Sequence, residues 1–347
     1  MTTGLYTKRP RIGAVVRGDT GGLAAQTEDF FIHMRPYKVL LIDYDVYTGY
    51  KTDYSKYENC NNLLTTDREP SEAVIRDFLK GLDVVFTVET PYNHDLYRIA
   101  HELGVKTVCQ YNYEWLQHHQ EPTLPLPDIF LAPSTWHLGD MTKFGNNTIY
   151  MHVPIDLKRF DFQLHSYGKK FLHIAGHRTF GDRNGTAILL EALPYIQSDV
   201  KIVIRTQDEL PRPYTDSKLE IIREDVSDRR QLYNGEDVLI LPRKYGGLSL
   251  QLNEALALGM PVIMPDIEPQ SDFLPKEWLV EAYLKETTQI KVPIDVYECS
   301  PEALAKKIDE MSGLITADSI KAVEIAKERS WTVMRPQYEA LFEALCL

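Results

Sequence analysis

The sequence predicts an α/β protein of two domains, each a largely parallel sheet wrapped by helices. Short apolar, β-branched runs alternate with helical patterns almost from end to end, as chains built from βαβ units do. The series restarts after a loop at about residues 161–169. Twelve-odd strands would strain one open sheet, whereas 347 residues suffice for two ordinary cores.

In the first half, strands are expected near Arg11–Val16, Lys38–Ile42, Val84–Val88, Lys106–Cys109, Ile129–Ala132 and Thr148–Val153. Helices are expected over Gly22–Met34, Ser71–Leu79 and Asp95–Leu103, the last stopped by Gly104. Pro122, Pro125 and Pro127 make the following segment a rigid loop. The second series has strands at Phe171–Ala175, Lys201–Arg205, Leu219–Ile222, Asp237–Leu241 and Val262–Met264. Its helices are read at Gly185–Ile196, Ser227–Tyr233, Leu248–Leu258, Pro301–Ser312 and Ile320–Arg329, with a final one near Val333–Leu345. The division is 1–157, 158–330 and a C-terminal helix, 331–347, packing back near the N-terminal domain.

Composition is that of an ordinary globular chain, 44% apolar and 25% charged. No apolar run reaches the roughly 20 residues of a membrane span, and the first ten residues lack an apolar signal-peptide core. Cys60, Cys109, Cys299 and Cys346 are scattered without a CxxC pair, so free thiols in the cytoplasm are expected. The sequon at Asn146 then carries no glycan. A net charge of −12 disfavours a protein that coats nucleic acid, yet allows a small phosphorylated ligand gripped by a few arginines.

Ligands of open α/β sheets bind beyond the carboxyl ends of the strands, where loops enter helices. Three such junctions carry chemistry. At the first, Arg17-Gly18-Asp19-Thr20-Gly21-Gly22, the glycines permit close approach of an anion to helix amides; a bare tight turn is the alternative. It is not the GxGxxG fingerprint of a dehydrogenase. The second, Gly176–Gly185, holds His177, Arg178 and Arg183, whose guanidinium forks match phosphate oxygens; a solvated charged loop is the alternative. At the third, Tyr245, Gly246, Gly247, Leu248 and Ser249 lead into an Ala/Leu-rich helix whose one acid is Glu254. Burying that carboxylate requires hydrogen-bond donors. A ribose diol supplies two, and a neighbouring arginine paired for structure is the other reading.

The third junction resembles the signature of retaining GT-B glycosyltransferases of the family 4 type. There a proline after a buried strand leads to Glu-x7-Glu, then Gly-x-Pro-Val; the second glutamate falls on Glu254 and the close on Gly259, Pro261 and Val262. Gly246 stands where that family has its first glutamate. Pro154, Asp156 and Phe160 resemble its interdomain segment, with one residue fewer between proline and acid. Gly176–Gly185 resembles its basic diphosphate loop, and Ala132-Pro133-Ser134 and Ser330-Trp331 also have counterparts. The Tyr-Gly-Gly-Leu version, with Asp19-Thr20-Gly21-Gly22-Leu23, is similar to a subgroup of bacteria and bacteriophages.

The resemblance implies a GT-B fold, two Rossmann-like α/β/α domains facing each other across a cleft. It also implies a UDP- or GDP-type sugar donor, no metal or other cofactor, and retention of configuration. Donor-binding residues are then Gly21, Gly22, His177, Tyr245, Gly246, Gly247, Leu248, Ser249 and Glu254, with Glu254 on the ribose. Arg178 and Arg183 neutralise the departing diphosphate. Domain closure excludes water.

Acceptor groups are sought at the third strand's end. Glu89, Tyr92 and Asn93 suit a polar acceptor, and His94 either takes its proton or is a surface residue. Tyr113, Glu114 and Trp115 form a stacking platform or ordinary rim packing. Asp43-Tyr44-Asp45 lacks a supporting cluster for a metal, and His118-His119 lacks metal spacing. The function expected is glycosyl transfer to a hydroxyl. Hydroxymethylated phage DNA, a virion protein and envelope saccharides are the acceptors weighed; a sugar-nucleotide epimerase and a non-catalytic nucleotide-sugar binder are the alternatives.

Overall fold

The computed structural model describes residues 9–44, 51–176, 181–210, 214–224, 226 and 228–347. It divides into two compact units, one of Met1–Val153 with Thr332–Leu347, the other of Pro154–Trp331.

The first unit runs β1 (Ile12–Arg17), α1 (Gly22–Met34), β2 (Lys38–Ile42), β3 (Leu63–Thr66), α2 (Glu72–Leu79), β4 (Val84–Val88), α3 (Asp95–Glu102), β5 (Lys106–Gln110), β6 (Ile129–Ala132) and β7 (Thr148–Tyr150). Its seven strands are parallel in the order β3-β2-β1-β4-β5-β6-β7. The middle strands are rich in apolar residues because a parallel sheet covered by helices is buried on both faces; every residue of β4, Thr87 included, is buried. Ser71 starts α2 by accepting the Val74 amide. The C-terminal helix, Trp331–Leu345, seals this core with Tyr338 and Phe342, which meet Phe30 and Phe86 edge-on. Burying each ring contributes roughly 1.5–3 kcal/mol. The Tyr338 hydroxyl accepts from Gln110, whose amide oxygen takes a bond from Gln26, so a hydrogen-bonded chain links α1, β5 and the C-terminal helix inside.

The second unit runs β8 (Lys170–Gly176), α4 (Thr186–Ala192), β9 (Lys201–Thr206), β10 (Leu219–Arg223), β11 (Val238–Ile240), α5 (Leu250–Ala257), β12 (Val262–Pro265), β13 (Leu279–Val280), β14 (Ala282–Gln289), β15 (Pro293–Cys299), α6 (Pro301–Glu310) and α7 (Thr316–Glu328). Six strands are parallel in the order β10-β9-β8-β11-β12-β13, and β14–β15 form a separate antiparallel hairpin.

Several boundaries differ from expectation for local reasons. The helix read over Gly185–Ile196 stops at Ala192 and continues as a 3-10 turn holding Pro194, which has no amide to give. The helix read over Ser227–Tyr233 is a 3-10 turn, Arg229–Leu232, opened by Asp228 accepting the Arg230 amide; Ser227 lies outside the described residues. The strand read to Val153 ends at Tyr150. β3 was not read because a half-buried edge strand of two leucines and two threonines shows no apolar run. The hairpin went unread because β14 is exposed nearly throughout.

Both parallel sheets reverse their winding once, between β1 and β4 and between β8 and β11. With right-handed crossovers, the loops leaving those strands diverge to opposite faces and open a crevice. All three informative junctions lie at these two places.

Candidate functional site

In the second unit, the loops after β8 and β11 are locked together. Gly185 sits at φ +75 against the Pro242 carbonyl, where a Cβ would collide with backbone, so only glycine fits. Asp182 accepts the Thr186 and Ala187 amides at 2.7 and 3.1 Å and thus fills the N-terminus of α4 with the chain's own acid. Buried His173 bridges the Ile240 carbonyl and the Thr186 hydroxyl, tying β8, β11 and α4. Burial lowers its pKa, so it is a neutral strut. Lys244 lies between Asp182 (3.4 Å) and Glu298 (2.8 Å). Burial works against its charge, but the two carboxylates outweigh that and raise its pKa. The Tyr297 amide also donates to the Lys244 carbonyl, so β15 braces the loop through main chain and side chain.

The loop then delivers two guanidinium groups to one point. Arg183 Nε and Arg243 Nε both donate to the Tyr245 carbonyl, at 3.3 and 3.0 Å, and Arg243 Nη2 donates to Leu248 O at 2.7 Å. The Arg183 guanidinium also lies 5.0 Å from the Tyr245 ring centre. Gly246 holds φ +117, and a Cβ there would fall 2.5 Å from Arg243 Nη2 and closer still to Arg183 Nη2. No side chain, glutamate included, fits at Gly246 without displacing both. Ser249 then caps α5 with a neutral hydroxyl that accepts the Leu252 amide. Two cations converging beside a helix start that no acid caps favour an anion there. Arg243 has no role in the sequence reading, since nothing in the spacing says that its fork turns back to meet Arg183. His177 and Arg178 lie outside the described residues.

Glu254 is 6% exposed and already clamped. Arg229 reaches it bidentately, Nε to Oε1 at 2.5 Å and Nη2 to Oε2 at 2.8 Å, and the Tyr233 hydroxyl donates to Oε2 at 2.6 Å. The pairing with a nearby arginine left open above is thus present. Arg229 and Tyr233 escaped the sequence reading because they leave a turn that had been read as a regular helix.

The first unit fills its crevice differently. Asp19, 1% exposed, accepts the Gly21 amide at 2.6 Å and Arg17 Nε at 2.5 Å. The amide of Gly21 therefore meets the turn's own carboxylate; Gly22 begins α1 beside it. Arg17 in turn lies 4.4 Å from the Tyr44 ring centre, and Tyr92 meets Tyr44 edge-on. Glu89 and Tyr92 both sit at positive φ, 63 and 66, costing of order 1 kcal/mol or more each, and such strain concentrates at working sites. Asn112 donates to the Glu89 carboxylate at 2.7 Å. Asn93 uses its amide on the scaffold, accepting from Asp95 N and donating to Pro70 O. His94 packs edge-on against His118 and Tyr97; burial, then His118, pushes it down to about 4, leaving it neutral near pH 7 and a weak base.

Tyr113 is enclosed rather than presented. His137 stacks on it at 4.3 Å, Trp136 and His119 meet it edge-on, and its hydroxyl donates to Asp140. Glu114 is buried and Trp115 half-buried beside it. His118 and His119 each use one ring nitrogen on a backbone carbonyl. Asp43 accepts from Thr52 and Tyr54, while Asp45 is outside the described residues. Among the described residues, no three His, Cys, Asp or Glu side chains gather to hold a metal ion, and no helix is long and apolar enough to cross a membrane.

Comparison with known proteins finds a family model that matches part of this chain. Residues 168–312, which carry the β8 and β11 junctions, match the model of glycosyl transferases group 1. No curated protein matches the chain. Among solved structures, a glycosyltransferase from Rickettsia africae is similar over 97% of this chain and 99% of its own, at 13% identity and a TM-score of 0.68. HepE from Anabaena, solved with UDP and glucose, is similar over 96% and 99%, at 10% identity and 0.66. Sucrose-phosphate synthase from Thermosynechococcus elongatus is similar over 96% and 99%, at 14% identity and 0.63. At such identities the likeness shows the fold, which is GT-B: two parallel-sheet α/β domains, the second of which holds the residues that match the glycosyl transferases group 1 model.

Proposed function

We propose that this chain is a glycosyltransferase that moves a sugar from a nucleoside diphosphate sugar to an acceptor hydroxyl. The convergence of Arg183 and Arg243 on Gly246, at the start of α5, carries the reading. As the bond between anomeric carbon and diphosphate oxygen breaks, negative charge grows on the leaving diphosphate. Cations and amides held in advance stabilise that charge more than the ground state, which is what lowers the barrier. The reading assigns neutralisation to these arginines and the α5 amides, with no metal or other cofactor, and keeps Glu254 on the ribose. UDP is the nucleotide to try first, since HepE was solved with it. Retention of configuration, the phage subgroup and an acceptor side at Glu89, Tyr92 and His94 belong to the same proposal.

Incubation with labelled UDP-glucose and GDP-mannose tests it. Slow donor hydrolysis is expected without acceptor, and with one, faster release of nucleoside diphosphate as the sugar passes to the acceptor hydroxyl. Isomerised donor would instead mark an epimerase, and binding without turnover in the presence of acceptors would mark a binder. Mass spectrometry of nucleosides, protein and saccharide offered as acceptors identifies the hydroxyl; unchanged hydroxymethylated nucleosides would retire DNA.

A further inference from the structure

We infer that Arg229 and Tyr233 position Glu254 so that its carboxylate keeps one open acceptor place, on Oε1, and reads a single ribose hydroxyl rather than the pair. The inference rests on the nucleotide site proposed above and gives it a specificity that the resemblance does not carry.

The argument is a count. An ionised carboxylate offers about four lone-pair positions. Oε2 spends both of its own, on Arg229 Nη2 at 2.8 Å and on the Tyr233 hydroxyl at 2.6 Å. Oε1 spends one, on Arg229 Nε at 2.5 Å. A diol presenting two donors to Glu254 would have to break a buried, charge-assisted bond for its second hydroxyl. One hydroxyl fits without that loss.

Both donors of the clamp leave the same short turn, Arg229–Leu232, with Tyr233 directly after it. The Tyr233 ring is held edge-on by Phe160 at 6.2 Å. Burial, then the neighbouring carboxylate, push the Tyr233 phenol far above its ordinary pKa, so it remains a donor. Neither residue need touch the nucleotide; both act through Glu254.

Titration calorimetry of the full chain with UDP, 2′-deoxy-UDP and 3′-deoxy-UDP tests the count without any variant. One analogue should bind about tenfold or more weakly than UDP, and the other within about threefold of it. Arg229→Met should shrink the difference between the analogues to under about threefold, and Arg229→Lys should keep part of it. Tyr233→Phe, which reopens a place on Oε2, should narrow it as well. A merely structural arginine would lower the melting temperature of Arg229→Met and leave the discrimination intact, which overturns the positioning role. Equal losses for both analogues in the unaltered chain overturn the single-hydroxyl reading. If neither UDP nor GDP binds, or Glu254→Ala leaves the affinities of all three nucleotides unchanged, the ribose is not at Glu254 and the premise itself has failed.

Discussion

The starts of α1 and α5 both lie at the winding reversal of their units, α1 after the strand on one side of it and α5 after the strand on the other, yet they are prepared for opposite charges. At α1 the chain brings its own anion: Asp19 takes the Gly21 amide and pairs with Arg17. At α5 the cap is a neutral serine, and Arg183 and Arg243 converge beside it. The start of α4 repeats the first solution with Asp182. Winding therefore offers several helix starts at the reversals, and side chains decide which of them is lined by an acid and which by cations.

Removing the cations should break the contrast most sharply. Arg183→Ala with Arg243→Ala should weaken UDP binding about 100-fold or more, since each charge-assisted bond contributes about 1.5–3 kcal/mol. Calorimetry reads this directly, and an unchanged affinity would put the diphosphate elsewhere. Next in size, Gly246→Ala should weaken UDP about tenfold, because a methyl group at φ +117 is strained and drives both guanidinium groups apart. Asp19→Ala is the mirror test. Leaving Arg17 without that carboxylate should cost about 2–3 kcal/mol of folding stability by denaturant titration, with UDP affinity within twofold. A large loss of UDP affinity would mean that the two helix starts are not distinct in function.

The smallest effect concerns protons. Burial lowers His94 and His119 to about 4, and His118 in the same direction. The unfolded chain binds these protons first, near the ordinary value of about 6.5. Their stabilising contribution is therefore complete above that value and is lost as pH falls toward 4. Melting temperatures across that window should fall with pH, and His94→Gln should flatten part of the slope. In the second unit His173 contributes with the same sign, so His173→Gln separates the two units.

Much of the architecture was legible because buried parallel strands announce themselves as apolar runs, β4 and β8 above all. The edge strand β3 and the exposed hairpin carry no such mark, and the turn at Arg229 borrowed a helical pattern. For the site, Gly246 and Gly247 flagged the α5 junction as a place where helix amides can be exposed, and Gly246 does hold a positive φ that selects glycine. Partnerships were less legible. That Asp19 closes on its own turn, that Arg229 seeks Glu254 and that Arg243 doubles back to Tyr245 depend on side-chain reach across loops, which residue order does not encode. His177 and Arg178, read as phosphate ligands, lie outside the described residues.

The hairpin's grip on Lys244 has a practical consequence for anyone redesigning this chain. Residues Ile290 to Val292, at the hairpin's tip, close on themselves, the Ile290 amide donating to the Val292 carbonyl, and are the place to try insertions or tags. Glu298, more than fifty positions downstream of the lysine it holds, belongs instead with the residues to leave untouched, because exchanging it would slacken a loop that no pairwise reading of the sequence would connect to it.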